Sequence, residues 1–181
     1  MNHLVINKII SPAKIWLIVC LFNVFFSAYV SAEIIVDGRL DETEWQQAQR
    51  FENFVETRPF SLRESTHPTE VLIITDEKGI YFGFINEQPL DTRYRRKQER
   101  DSMWSDSDRN FLSIDFDGKA NIGYFFGVSL GGSMSDGSIS NGSQMDRDWD
   151  GDWEVKISES ETHWYSEFFL PWTVVPMMSD K

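Results

Sequence analysis

Glu70-Val71-Leu72-Ile73-Ile74-Thr75-Asp76-Glu77-Lys78-Gly79-Ile80-Tyr81-Phe82-Gly83-Phe84-Ile85 is the stretch that decides the fold. Two short runs rich in β-branched and aromatic side chains flank the polar turn Asp76-Glu77-Lys78-Gly79, whose glycine is available for positive φ. Runs of this length bounded by turn residues are strands rather than helices, and the spacing pairs them as an antiparallel hairpin. Further along, Phe111-Leu112-Ser113-Ile114-Asp115-Phe116 and Tyr124-Phe125-Phe126-Gly127-Val128-Ser129-Leu130 repeat the pattern across Asp117-Gly118. Trp153-Glu154-Val155-Lys156-Ile157 and Trp164-Tyr165-Ser166-Glu167-Phe168-Phe169-Leu170 repeat it again, and Pro171 stops the last strand. Upstream, Ile34-Ile35-Val36 reads as a first strand ended by Asp37-Gly38. Asp41 and Glu44 are spaced as a capping box, which predicts a short helix through Ala48 with Trp45 as a plug over the core. The expected fold is all-β: a two-sheet antiparallel β-sandwich, jelly-roll or immunoglobulin-like, with one short N-terminal helix.

The first 32 residues do not belong to that pattern. Lys8 and Lys14 precede the apolar run Ile15–Val30 (IWLIVCLFNVFFSAYV), and Val30-Ser31-Ala32 supplies small residues at a cleavage spacing. This is the order of a secretory signal peptide, and the run is short for a membrane span. The expected organisation is a signal over 1–32, one domain over 33–176, and a tail over 177–181 where a longer chain would continue. Export places the domain in the periplasm, at the outer membrane, or outside the cell. The signal takes the chain's one cysteine, Cys20, with it. A thiol nucleophile, a disulfide framework and cysteine-ligated metals are thereby excluded from the domain. The signal also carries two lysines and no acid, so the chain's net charge of −12 becomes −14 for the remainder. That balance disfavours nucleic acid and anionic lipid as partners and admits neutral ligands and cations.

Catalytic signals are weak. His67 and His163 stand near no serine motif, and a pair of carboxylates at glycosidase spacing will arise by chance among 29 acidic residues. Metal binding has a better pattern: Asp146, Asp148, Asp150 and Asp152 alternate around Gly151, oxygen donors suited to calcium. Ile157 stands where an EF-hand needs a bidentate glutamate and no helices flank the loop, so an EF-hand is excluded, and an ordinary acidic turn is the competing reading. The basic run Arg93, Arg95, Arg96, Lys97 and Arg100 reads as a solvated loop paired to the protein's own acids. Among the tryptophans, Trp104 and Trp149 lie in polar, acidic loops, either folded back over a sheet or presented to a ligand. Sugar rings have apolar C–H faces that pack on indole, while their hydroxyls need polar partners. Asp106, Arg109 and Asn141 are the candidate hydroxyl partners for Trp104 and Trp149.

Ile35-Val36-Asp37-Gly38, Leu40-Asp41-Glu42, Trp45-Gln46-Gln47-Ala48, Thr75-Asp76, Ile80-Tyr81-Phe82, Arg100-Asp101 and Ser107-Asp108 before Ile114-Asp115 occur in an order that resembles carbohydrate-binding module family 9. Trp153-Glu154-Val155 and Trp164-Tyr165-Ser166-Glu167-Phe168-Phe169-Leu170-Pro171-Trp172 look like that family's closing strands. Asp117-Gly118, Gly123-Tyr124-Phe125-Phe126-Gly127-Val128, Gly131-Gly132 and Asp136-Gly137 are similar to a subset of exported bacterial proteins in which such a module precedes an outer-membrane barrel-like region. The resemblance implies a β-sandwich, an oligo- or polysaccharide partner held between two tryptophans, bound calcium, and work in carbohydrate catabolism beside a glycoside hydrolase. Trp104 and Trp149 are proposed for that tryptophan pair by loop context. Two other classes compete: a periplasmic interaction or plug domain of an outer-membrane protein that uses the basic run, and a glycoside hydrolase in its own right. A related sandwich family binds haem through Met or Lys, for which Met103, Met134 and Met145 are the available methionines.

Overall fold

The computed structural model describes residues 33–102, 106–119 and 121–175. The leader, Met103, Trp104 and the tail therefore lie outside the described residues. Two antiparallel sheets carry the strands β1 (Gln49–Phe51), β2 (Thr69–Thr75), β3 (Gly79–Glu87), β4 (Arg109–Ile114), β5 (Ile122–Ser129), β6 (Met134–Ser140), β7 (Gln144–Asp146), β8 (Glu154–Glu159) and β9 (His163–Pro171). Their order is β1-β2-β3-β9-β8 in one sheet and β4-β5-β6-β7 in the other. The three pairs read from the sequence are all present: β2–β3, β4–β5 and β8–β9.

The inner faces meet through aromatic rings. Phe82, Phe84 and Phe168 of the five-stranded sheet pack with Phe126 and Val128 of the other, and Trp153 lies among them. Trp153 and Phe168 stack nearly parallel, with centroids 5.7 Å apart, and Phe126 meets Trp153 edge-on at 5.4 Å. One polar contact crosses the same layer, where Asn110 Nδ2 donates to Ser166 Oγ at 2.7 Å.

The five-stranded sheet is buried on its other face too. Leu72, Ile74, Tyr81, Ile85 and Phe169, which alternate with the inward residues, pack under Ile34, Val36, Leu40, Trp45 and Ala48. Double burial explains why β2 and β3 read as continuous apolar runs instead of alternating ones. It also explains Gly83: a Cβ there would lie 2.8 Å from both methyl carbons of Leu40.

The residues 34–36 expected to be a first strand are thus an extended cover with no ladder partner. Their segment is held by carboxylates: Asp37 N and Gly38 N each donate to Glu167 Oε2 at 2.9 Å, and Ile35 N donates to Glu42 Oε1 at 3.1 Å. The expected capping box is absent as well. Thr43–Gln47 is a single 3₁₀ turn whose N-cap, Glu42, makes no side-chain capping bond, and Glu44 instead accepts from the Thr43 hydroxyl. Trp45 is a buried plug, as expected. Gly79 is needed for close approach rather than positive φ, since a Cβ would lie 2.2 Å from the Leu170 carbonyl oxygen.

Burial, and then the nearby charges of Glu42 and Asp37, push the Glu167 carboxyl up from 4.5 to about 7, although its two amide donors oppose the shift. The folded protein therefore keeps a proton that the unfolded chain releases between about 4.5 and about 7, so stability from this group falls as pH rises through that window and is flat above it. The loss is on the order of 3 kcal/mol. Glu167→Gln, which mimics the protonated acid and still accepts both amide bonds, is expected to remove this slope. Thermal melts of wild type and variant across the window test it: the difference between them should widen with pH in favour of the variant, and a constant difference counts against the account.

Candidate functional site

Among the described residues, those singled out by loop context do not come together. Trp149 is folded back over β5, half-buried, with its ring 4.7 Å from Tyr124 and 5.9 Å from Phe126. Gly151 makes room for it, since a Cβ there would lie 2.6 Å from the indole. Asp106 is exposed and pairs with Arg96 at 3.1 Å. Arg109 opens β4 opposite Ser129, whereas Asn141 follows β6 beyond Ser140, which faces Ile122. That register puts Arg109 and Asn141 at opposite ends of the sheet, roughly 20 Å apart at about 3.3 Å per residue. Asn141 there bonds Gln144 across a tight turn. Of the methionines, Met134 packs against the inner core and Met145 is exposed.

Asp146, Asp148, Asp150 and Asp152 do not converge either. Asp146 Oδ1 accepts from Asp148 N within the loop. Among the described residues, the acids that bring three carboxylate oxygens together are Asp101, Asp136 and Asp150, within 4.8 Å of one another. Their charge is met by Arg100, whose guanidinium reaches Asp136 at 2.6 Å, Asp150 at 3.3 Å and Asp101 at 3.6 Å. Asp136 is fully buried and accepts from Gly151 N through its other oxygen at 2.7 Å. The donor set would suit a calcium ion only with the arginine displaced, so the residues as arranged do not fit the metal. The other arginines of the basic run are likewise engaged internally: Arg93 and Arg95 pair with Glu159, Arg96 with Asp106, and Arg93 also donates to the Gln88 carbonyl.

The best-built hollow lies in a stretch that the sequence left unread. Between β1 and β2 the chain makes an excursion over residues 52–68, closed on itself by Glu56 N to Arg63 O at 2.9 Å, an isolated bridge between Val55 and Glu64, and Ser61 Oγ to Glu56 Oε2 at 2.7 Å. Glu87 N donates to Pro68 O and fastens its end to β3. This excursion walls a hollow of about 340 Å³ whose floor is the outward face of the five-stranded sheet, where Glu70 pairs with Ile85 and Glu87 with His163. Glu52, Asn53, Phe54 and Glu64 line the wall, and the Phe54 ring is 45% exposed. A second hollow of about 270 Å³ shares Ile85 and extends along the same face past Tyr165, Ser158, Arg39 and Asp41. His163 stacks on Tyr165 with centroids 6.0 Å apart, and its Nδ1 lies 2.9 Å from the Thr162 hydroxyl. The two hollows lie side by side on one face as a groove, with Phe54 on the wall of the first, Tyr165 opposite the shared Ile85, and carboxylates, an imidazole and a hydroxyl around them. Sequence reading missed it because its parts come from residues far apart along the chain. The one available signal was the aliphatic and aromatic residues Phe51, Phe54, Val55, Phe60 and Leu62, dispersed through polar sequence without period.

An antiparallel two-sheet β-sandwich with a polar, aromatic-edged groove on one outer face is therefore the class of protein that the coordinates define. No protein-family model and no curated protein matches the chain. Among solved structures it is similar to a carbohydrate-binding module of family 9 (CBM9) from Caldicellulosiruptor kristjanssonii in complex with cellotriose, with a TM-score of 0.57 and 12% sequence identity over 81% of this chain and 67% of that one. The fold is thus CBM9-like.

Removing Arg100 tests the electrostatic reading. Arg100→Met leaves Asp136 buried beside two other carboxylates. Breaking a buried pair costs about 3–5 kcal/mol, and the partial exposure of Arg100 reduces this to about 2 kcal/mol, a loss of roughly 4–8 °C in Tm. Added calcium should recover part of that loss in the variant and leave the wild-type Tm unchanged. A calcium-dependent wild-type Tm would mean that the metal, not the arginine, holds these acids.

Proposed function

We propose that the domain is a carbohydrate-binding module whose saccharide lies along the outer-face groove. The observation that carries this reading is the pairing of an exposed phenyl face, Phe54, with a ring of carboxylate, amide and imidazole groups inside one hollow of ligand size. Pyranose C–H faces lose contact with water against Phe54, Ile85 and Tyr165, while Glu52, Glu64, Glu87 and Asn53 take up the hydroxyls. The two hollows share Ile85 and lie on one face, which gives room for more than one sugar ring. The fold likeness to a module that is in complex with cellotriose supports the same class of ligand. In this reading the leader exports the domain to where polysaccharide is met, and its role is to hold a chain for a hydrolase working beside it.

Calorimetric titration of the purified protein with a panel of soluble oligosaccharides tests the proposal. Phe54→Ala is expected to weaken the best ligand about tenfold, corresponding to about 1.4 kcal/mol, with no change in melting temperature because the ring is exposed. Full affinity in Phe54→Ala together with lost affinity in Trp104→Ala would move the site to the loop containing Trp104.

A further inference from the structure

The charge of the first hollow is unbalanced. Among the described residues, Glu70 is paired with Arg50, but Glu52, Glu64 and Glu87 have no ion-pair partner, and the lining contains neither lysine nor arginine. Arg39 appears only at the far end of the groove, beside Asp41. A neutral ligand that excluded water from this hollow would strengthen the repulsion among the three free carboxylates. A cation would relieve it. A bare metal ion is the wrong size of cation, because among the described residues no three of these glutamates bring oxygens within 4.8 Å of one another. The positive charge must therefore be spread, or carried at the rim of a larger body. That body also has to satisfy the Phe54 ring and Ile85, which call for an apolar face, and the phenyl quadrupole itself favours a cation close by.

A sugar bearing a free ammonium meets these demands together: an apolar C–H face for Phe54, hydroxyls for the polar wall, and one positive charge per residue for the glutamates. We infer that the groove selects amino sugars with an unacylated nitrogen, of the glucosamine type, over neutral or N-acetylated ones. This rests on the carbohydrate-binding reading and narrows it to a ligand class. N-acetylation abolishes the charge that the glutamates attract.

The test is titration of the purified full chain with glucosamine trimer, N-acetylglucosamine trimer and cellotriose, each at low and high salt. The glucosamine trimer is expected to bind about tenfold more tightly than either of the others at low salt, and the advantage should shrink as salt screens it. It should also shrink in Glu64→Gln and in Glu87→Gln, both exposed and near-isosteric changes, and persist in Glu77→Gln, an exposed acid on the β2–β3 turn. Melting curves confirm that each variant is folded. Equal affinity for the three trimers overturns the selectivity while leaving the saccharide reading in place. A preference that survives both cavity variants, or that is lost equally in Glu77→Gln, assigns the attraction to the protein's general negative charge and overturns the inference too. Failure of all three trimers to bind overturns the inference, and the oligosaccharide panel then decides the saccharide reading.

Discussion

The five-stranded sheet has to be covered on both faces, and most of the molecule follows from that requirement. Its inward side is closed by the second sheet through the Phe126, Trp153 and Phe168 rings. Its outward side has no second sheet, so residues 34–48 are laid across it, with Leu40 pressed onto Gly83 and Trp45 set in the apolar layer. A chain lying on a sheet without joining its ladder must satisfy its amides some other way: Glu167 does this from the sheet beneath, and Glu42 from within the cover itself. The elevated proton affinity of Glu167 is a by-product of where that bond has to be made. The cover is also finite. Where it stops, the outward residues Glu70, Ile85, Glu87 and His163 are left to floor a groove, and the excursion after β1 supplies the wall.

How much of this the sequence could disclose depends on the residues concerned. β2, β3, β5 and β9 were legible because burial filled them with apolar side chains, and the turns between them are built from Asp and Gly. β6, Met134-Ser135-Asp136-Gly137-Ser138-Ile139-Ser140, was not, since its polar residues do not resemble a strand. Its Gly137 makes sense only with its neighbours in view, since a Cβ there would lie 2.2 Å from the Asp146 carbonyl oxygen and 2.6 Å from the Phe125 ring. Ile34-Ile35-Val36 has strand composition but no strand neighbour, so propensity alone misplaced it. The loop tryptophan Trp149 was read as two alternatives, and packing on Tyr124 and Phe126 decides between them.

The charge pattern divides in the same way. The abundance of acid is visible in composition, but which acids are answered by a base depends on the fold. Asp136 is answered by Arg100, and Glu159 by Arg93 and Arg95, over sequence separations that no local motif encodes. The four alternating aspartates from the end of β7 onward give the sequence its best metal-binding pattern, yet among the described residues the acids that converge are Asp101, Asp136 and Asp150. The glutamates of the groove belong to no motif at all, and among the described residues Glu52, Glu64 and Glu87 are without an ion-pair partner.

The groove wall hangs from β1, an edge strand of only three residues, all exposed, paired to the rest of the sheet on one side. Its other anchor is a single backbone bond from Glu87 to the Pro68 carbonyl. Lengthening or shortening residues 52–68 therefore alters neither the register of β2 nor any inward-facing residue, and the cost of loop length itself grows slowly. The groove wall is mechanically separable from the sandwich that keeps the protein folded. Such a domain can reshape that wall through insertions and deletions in one segment, while its sandwich and the groove floor are inherited unaltered.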